Sequence, residues 1–341
     1  MIIMNTAKHL HPTSCRQRGL SLIELMISIT IGLILLLGIT SLIVQQSSTR
    51  DELEKSSRQI ENGRYATQLL HDDIEHAGYF GRYNPLAGTV YTNPDPCAQW
   101  NQGWNPAANQ MALPIYGYAG AAAAPSTCLN NYQPNTAVLV IRRTDTATVA
   151  ATAPVAGVTY LQVTGCANEP TTPFVMGTSG FNLHLKNCVT TPPGSLAELN
   201  RYIVRIYYVS SCDVCGTDTI PTLKVVENGG PANGGTLTPL VEGIENMQLD
   251  YGLDSDNDGY PDSYTNTPAA TDWPNVMAIR LNLLARNTEC TTGQVDTKQY
   301  NLGLAGAASA PASNCTNGGY KRHVFSELVR AINPSGRRAL Q

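Results

Sequence analysis

Three things are scarce in this 341-residue chain: proline over its first quarter, charge within its longest apolar run, and any signature of catalysis. No proline occurs between Leu20 and Asn84, so nothing there removes a backbone donor or forces a kink, and one unbroken helix is allowed. From Leu20 to Val44 the only charge is Glu24, in a run of 25 residues that exceeds the roughly 20 needed to cross a bilayer. A secretory signal has an apolar core of about 7–15 residues closed by a small-residue site, so this longer run, with no A-x-A after it, is not one. There is no glycine-rich phosphate loop and no G-x-S-x-G. His71, His76, His184 and His323 stand without a metal or triad motif, and the chain reads as a non-enzyme. A basic excess is missing too: 22 Lys and Arg face 26 Asp and Glu. That balance argues against nucleic acid, whose capture rests on contacts to phosphate. Arg337-Arg338 is a locally basic pair, too small to form a patch.

A short polar leader with Lys8, Arg16 and Arg18 precedes the apolar run and ends in Gly19. Basic residues on that side keep the N-terminus cytoplasmic and send the rest outward. Removing the leader leaves 19 basic residues against 26 acidic ones, near −7. Glu24 is the anomaly, because a carboxylate inside such a run costs up to about 2.5–3.5 kcal/mol at a helix centre. A plain single-span anchor explains the length but neither this acid nor the glycine at the charged boundary.

The string Arg18-Gly19-Leu20-Ser21-Leu22-Ile23-Glu24-Leu25-Met26 resembles the prepilin signature of type IV pilins and type II secretion pseudopilins. The resemblance implies cleavage between Gly19 and Leu20 by a membrane peptidase, N-methylation of the new Leu20 amine, and pairing of Glu24 with the amine of a neighbouring subunit. The family usually has Phe where this chain has Leu20. The implied organisation is a leader at 1–19, a transmembrane and filament-core helix at 20–44, its amphipathic continuation at 45–78, and a periplasmic β-rich head at 79–341. The implied fold class is α+β and pilin-like, a long N-terminal helix packed on an antiparallel sheet.

Beyond Val44 the chain turns polar but keeps Leu53, Ile60, Thr67 and Ile74 at intervals of seven, with Leu70 one turn before the last. That spacing predicts one apolar stripe on a continuing helix. Gly63 weakens it by about 1 kcal/mol relative to Ala, so packing must hold it. Gly78 supplies a stop and Pro85 lies past the end. The junction from Asp72 to Gly81, with its D-I-x-x-A-G-Y-x-G pattern, is similar to the PilW group of minor pilins. The RYIVRIYYV string, the Val241–Glu245 lead-in and the late AIRLNLLAR string share that likeness.

Residues 82–135, rich in Pro, Gly, Asn, Tyr and Ala, predict a long loop-dominated insertion in which Trp100 and Trp104 join small packing clusters. Strands are predicted at 136–143, 157–163, 181–186, 201–210, 222–226, 246–251, 276–285 and 321–331. Their alternation predicts an antiparallel sheet with one face covered, by the helix stripe.

Cys15 lies in the leader, whereas Cys97, Cys128, Cys166, Cys188, Cys212, Cys215, Cys290 and Cys315 all follow the span. An even count in an exported domain reads as a disulfide framework. Eight cysteines allow 105 connectivities; sequence neighbours (97–128, 166–188, 212–215, 290–315) are the simplest choice. Cys212-Asp213-Val214-Cys215 has the spacing of redox motifs, but it sits between strands rather than at a helix N-terminus. A structural disulfide closing a hairpin turn is the better reading, ahead of redox or zinc chemistry.

Asp254-Ser255-Asp256-Asn257-Asp258-Gly259-Tyr260-Pro261-Asp262 is the strongest ligand-site candidate. Calcium takes about six to eight oxygens, which loops supply at alternate positions around a glycine at the sixth. Counting from Asp254, carboxylates of Asp254, Asp256, Asp258 and Asp262 fall at positions 1, 3, 5 and 9, and the Tyr260 carbonyl at 7. Position 12 is Thr265 rather than Glu, so further ligands would come from water, Asp250 or Asp272. The alternative is a solvated acidic turn.

The resemblance implies a minor pilin in the tip or initiation complex of a type IV pilus, supporting adhesion and twitching motility. Its partners would be other minor pilins, the major pilin, a pilus-tip adhesin and the prepilin peptidase. Calcium is the one cofactor expected. The protein would span the inner membrane once, head in the periplasm, before joining the pilus. A pseudopilin of the GspJ type and a component of a DNA-uptake pilus are the alternatives.

Overall fold

A computed structural model describes Gly19 and residues 21–85, 88–98, 103–169, 173–190, 195–228, 235–309, 311 and 315–339. The leader, Leu20 and Trp100 lie outside these residues. The chain divides into two compact units, Met1–Leu53 and Glu54–Gln341. Helix α1 runs from Leu22 to Glu75 through both.

In the first unit α1 exposes apolar side chains on every side from Leu22 to Val44. It is the helix, among the described residues, long and apolar enough to cross a membrane. Its few hydroxyls turn inward: Ser28 donates to the Glu24 carbonyl (2.7 Å), Thr30 to Ile27 (2.8 Å) and Thr40 to Leu36 (2.7 Å). These three hydroxyls therefore find partners in their own helix, as polar groups in lipid require, and the Glu24 carboxylate stands apart from them.

In the second unit, two short strands, β1 (Val90–Thr92) and β2 (Gln110–Ala112), pair parallel. Seven strands then build one antiparallel sheet: β3 (Ile115–Tyr118), β4 (Val138–Val149), β5 (Tyr160–Val163), β6 (Phe174–Gly177), β7 (Leu199–Ser210), β8 (Thr222–Asn228) and β9 (Thr236–Glu242). Strand β7 is its axis, with β4 along one edge and β5 then β8 along the other. A second antiparallel sheet follows the order β11-β10-β12-β17, from β10 (Ile244–Leu253), β11 (Ser263–Thr265), β12 (Val276–Arg286) and β17 (Arg322–Arg330). Between β12 and β17 lie two ribbons, β13 (Thr291–Thr292) with β16 (Gly318–Gly319) and β14 (Gln299–Asn301) with β15 (Ala307–Ser309). Helix α2 (Ile332–Arg338) ends the described fold.

Ala66, Leu70 and Ile74 of α1 share one core with Leu139, Ile141, Tyr207 and Val209 of the larger sheet and with Leu249, Ile279, Leu281 and Leu283 of the smaller. The alternate residues of the larger sheet, Val138, Val140, Tyr202, Val204, Ile206 and Tyr208, are just as buried, against Phe80, Tyr83, Met111, Leu129 and Phe174. The sheet is thus covered on both faces, by the helix on one and by the segment after it on the other. The expectation of one covered face fails because the 79–132 segment is a lid carrying its own aromatic core. Trp104 sits there, edge-on to Phe80, Phe174 and Tyr202, at centroid distances of 5.2, 5.4 and 5.6 Å.

The helix stripe also differs from its prediction. The buried face of α1 is Gln59, Gly63, Ala66, Thr67, Leu70, Asp73 and Ile74, whereas Leu53 and Ile60 are 65% and 43% exposed. Polar and small side chains join Leu70 and Ile74 in the docking: Gln59 donates to the Ala285 carbonyl (2.8 Å) and Asn62 to the Glu242 carbonyl (3.2 Å). The helix ends at Glu75, and Gly78 follows at φ +72°.

Two strand expectations need correction. Residues 181–186 form no strand; their pairing is a single antiparallel bridge from His184 to Leu196, and the Leu183 amide and carbonyl also bond the Gln162 side chain (3.0 and 3.2 Å). Strands β6 and β9 were not anticipated. Pro239 hides β9 from sequence reading, and it lies on a strand paired only with β8, where a missing amide is tolerated. The eight cysteines pair as sequence neighbours, 97–128, 166–188, 212–215 and 290–315.

Candidate functional site

Gly19 is exposed, with open space where a side chain would begin. Leu20, the residue the expected cut would expose, lies outside the described residues. Glu24 sits in the first turn of α1 and is exposed, with no ion-pair partner among the described residues. A helix N-terminus carries partial positive charge, which favours an acid there but does not neutralise it.

At the other end of α1, the Asp72–Gly81 string proves to be a docking joint. Asp73 is buried and accepts from Arg143 Nε (2.7 Å), Arg205 Nη1 (3.1 Å) and Tyr207 Oη (2.9 Å). Glu227 binds Arg205 in turn (2.9 Å) and also Arg201. Burial opposes the charge on Arg205, but Asp73, Tyr207 and Glu227 outweigh it and raise its pKa. Burial, then Asp73, keeps the Tyr207 hydroxyl protonated well beyond its ordinary range. A buried acid with two guanidinium partners and a phenol has its lone pairs satisfied, which such burial requires. Past the helix, the Gly78 amide donates to the Arg142 carbonyl (3.0 Å) and Thr144 bonds the Tyr79 carbonyl through its amide (2.6 Å) and hydroxyl (3.0 Å). Gly81, at φ +60°, lies where a Cβ would meet Asn200 Oδ1 at 2.6 Å. The glycines of the string are there for close approach. Sequence reading noticed the string but not Asp73's role. The signal was available: Arg143 and Arg205 are charges set within otherwise apolar strands.

Helix α2 completes the joint. Asn333 donates to the carbonyls of Glu75 (3.3 Å) and Ala77 (3.2 Å), and Arg337 to that of Gly78 (3.0 Å). These carbonyls at the C-terminal end of α1 lack helical partners of their own. Burial lowers the Arg337 pKa, against a smaller opposing effect from Tyr91. The Arg337-Arg338 pair thus serves the fold.

The acidic loop meets α2 on its far side. Asp254, Asp256 and Asp262 bring carboxylate oxygens within 4.8 Å of one another. Asp254 is fully buried; its oxygens accept from the amides of Asn257 (2.7 Å) and Gly259 (3.0 Å), and Arg338 Nη1 stands 3.8 Å away. Asp262 accepts from the Ser255 hydroxyl (2.6 Å) and amide (2.7 Å), which hold its carboxyl below the usual range. Asp258 is not in the group; it caps the Tyr260 amide (2.7 Å), and the Tyr260 ring lies under Arg330 at 4.2 Å. Asp250 is buried elsewhere, holding the Leu304 amide (3.0 Å), and Asp272 caps Ala269 (3.0 Å). Three of the predicted carboxylate ligands converge, and those of Asp258, Asp250 and Asp272 do not join them. The converged oxygens fit a hard cation in kind, though the nearby guanidinium already offsets part of their charge.

The histidines are engaged locally. His71 lies between Glu327 (2.8 Å) and Glu75 (3.3 Å), His184 bonds Glu169 (2.6 Å), His76 bonds the Asp72 carbonyl (2.6 Å), and His323 stands edge-on to Phe325. None of these arrangements sets a nucleophile beside a base.

Two family models match the chain. The type IV pilus-assembly protein W family, PilW, matches residues 206–333, from the second half of β7 into α2. The prokaryotic N-terminal methylation motif matches residues 14–40. No curated protein and no solved structure matches it. The two matches bracket the same features that the geometry singles out, the Gly19–Glu24 segment at one end and the two-sheet head at the other. With α1 running between them, the two matches support a PilW-type, prepilin-like protein.

Proposed function

We propose that this protein is a minor pilin that enters the tip or initiation complex of a type IV pilus, alongside other minor pilins, the major pilin and a tip adhesin, and so supports adhesion and twitching. The observation that carries the reading is Glu24, an acid without an ion-pair partner among the described residues, at the head of an apolar helix whose opening matches the methylation motif. Prepilin peptidase cuts between Gly19 and Leu20, and the Leu20 amine and Glu24 become opposite charges in a medium that penalises each alone. An amine from a neighbouring subunit offsets the acid, and the attraction is strong at low dielectric when geometry is good. Before assembly the protein spans the inner membrane once, with its head in the periplasm. The PilW match favours the pilus over a secretion pseudopilin, and the acidic balance disfavours direct DNA capture.

Processing and piliation test this. Gly19→Ala leaves full-length protein uncut, and Glu24→Ala is cut and membrane-bound but lost from sheared pili. Normal incorporation of Glu24→Ala, scored by immunoblot of pili, would reject the role assigned to the acid.

We propose in addition that Asp254, Asp256 and Asp262 hold calcium, supported by their convergence within 4.8 Å. Calcium then raises the unfolding temperature and a chelator lowers it, and Asp256→Ala abolishes both shifts. Identical melting in calcium and chelator removes the site.

A further inference from the structure

The Cys212–Cys215 disulfide differs from the other three in ways that bear on its chemistry. Its cysteines are 3 residues apart, against 31, 22 and 25 for the rest, so it closes the shortest loop and restrains the unfolded chain least. The turn it bridges is already held without it. Asp218 accepts from the amides of Asp213 (2.8 Å), Val214 (2.7 Å) and Ile220 (3.0 Å), and Val214 accepts from the Thr217 amide (2.9 Å). Below the turn, β7 and β8 are in register from Val204–Asn228 to Ser210–Thr222. Opening the sulfur bridge leaves this frame intact.

The sulfurs are also unequal. Cys212 is buried and Cys215 exposed. The buried ammonium of Lys224, on β8, donates to the Asp213 carbonyl (2.8 Å) and to Cys215 Sγ (3.7 Å). The Ser210 hydroxyl lies 3.8 Å from Cys212 Sγ and 3.9 Å from Cys215 Sγ. A cation beside a sulfur favours its thiolate, as a helix N-terminus does in known redox motifs. Besides Lys224, the charged groups facing the turn are Asp213 and Asp218 within it and Arg286 of β12, which reaches the Thr219 carbonyl at 3.1 Å.

We propose that Cys212–Cys215 is a thiol–disulfide exchange site that accepts two electrons from a protein dithiol, with Cys215 as the sulfur that meets the partner. One thiolate of the dithiol attacks the exposed Cys215 Sγ. The bond to Cys212 breaks, and its electron pair leaves on Cys212 Sγ, which the Ser210 hydroxyl can solvate. The partner's second thiolate then displaces Cys215 and closes the partner's own disulfide. Two electrons have passed to the pair, and the dithiol's two protons end on Cys212 and on Cys215 or solvent. In reverse, the Cys215 thiolate beside Lys224 is the nucleophile. This site is independent of the assembly role of Glu24.

The test uses the full chain in detergent with dithiothreitol as the dithiol, alkylation of freed thiols and mass spectrometry of cysteine peptides. Cys212 and Cys215 become labelled at a dithiothreitol concentration about tenfold below that which opens the other three bridges. After this selective reduction Cys215 alkylates about tenfold faster than Cys212. The pH midpoint of Cys215 labelling rises in Lys224→Met and stays in place in Lys224→Arg. Opening together with or after the other bridges, or equal labelling of the two cysteines, overturns the proposal in the unaltered protein. An unmoved midpoint in Lys224→Met does so as well.

Discussion

The ring of Phe325, on β17, lies directly over Gly63 of α1: a Cβ at Gly63 would fall 2.1 Å from Phe325 Cε2. The helix and the smaller sheet approach to a distance that only glycine permits. Gly63→Ala should therefore destabilise the protein by about 1–3 kcal/mol through overpacking. The intrinsic gain of about 1 kcal/mol from replacing a helical glycine does not rescue it. Denaturant midpoints should show the loss, and Gly63→Ala combined with Phe325→Leu should recover most of it.

Asp73 is the acid on which the helix end turns. Asp73→Asn deprives the partly exposed Arg143 and Arg205 of this carboxylate, though Arg205 keeps Glu227, and the expected cost is about 1.5–3 kcal/mol. Tyr207→Phe removes one neutral donor and should cost about 1 kcal/mol. Chemical denaturation with an unchanged slope would attribute both losses to the native state.

Arg322 ties β17 to two acids, Glu245 (2.5 and 3.0 Å) and Asp296 (3.0 Å). Burial raises the Asp296 pKa, but Arg322, Tyr300 and the Lys298 amide overcome it, and the net shift is downward. A carboxyl whose pKa is lower folded than unfolded contributes stability at pH above the unfolded value, near 3.9. The contribution is lost as pH falls from there through the folded value. Unfolding temperature should drop on that acid limb, and Asp296→Asn, already less stable at neutral pH, should show a shallower drop.

Asn333 closes the helix with one amide group shared between two carbonyls. Asn333→Ala should cost about 1–2 kcal/mol, since both oxygens lose a donor in a partly buried setting. Hydrogen exchange should report the loss first at the last turn of α1 and at Gly78.

Much of this could be read in the sequence because its signals are local. The apolar run and the motif that opens it lie within a few tens of residues, where the methylation-motif match also falls, and the central strands β4, β7 and β12 announce themselves by β-branched and aromatic content. The helix stripe could be read only in its second half: Thr67, Leu70 and Ile74 are buried as their spacing predicts, but the same count selected Leu53 and Ile60, which are exposed. The rest of the docking face relies on Gln59, Gly63 and Asp73, whose partners lie far off in the sequence, Ala285 for Gln59 and Phe325 for Gly63. Strand 181–186 failed because its backbone pairing stops at one bridge, His184 to Leu196, while the Gln162 side chain takes the Leu183 amide. In the acidic loop, spacing alone could not say that Asp258 would turn away to cap Tyr260 while Asp254 met Arg338.

Asn333 reaches back across 258 positions to Glu75. Synthesis and export run from the N-terminus, so α1 emerges long before the side chains that cover its last carbonyls. Closing such a distant contact late makes for slow maturation. Through that interval the last carbonyls of α1 stay without the Asn333 and Arg337 donors that cover them in the complete fold. A chain shortened before Asn333 would stay in that state, so the end of the first helix records whether the last elements have folded.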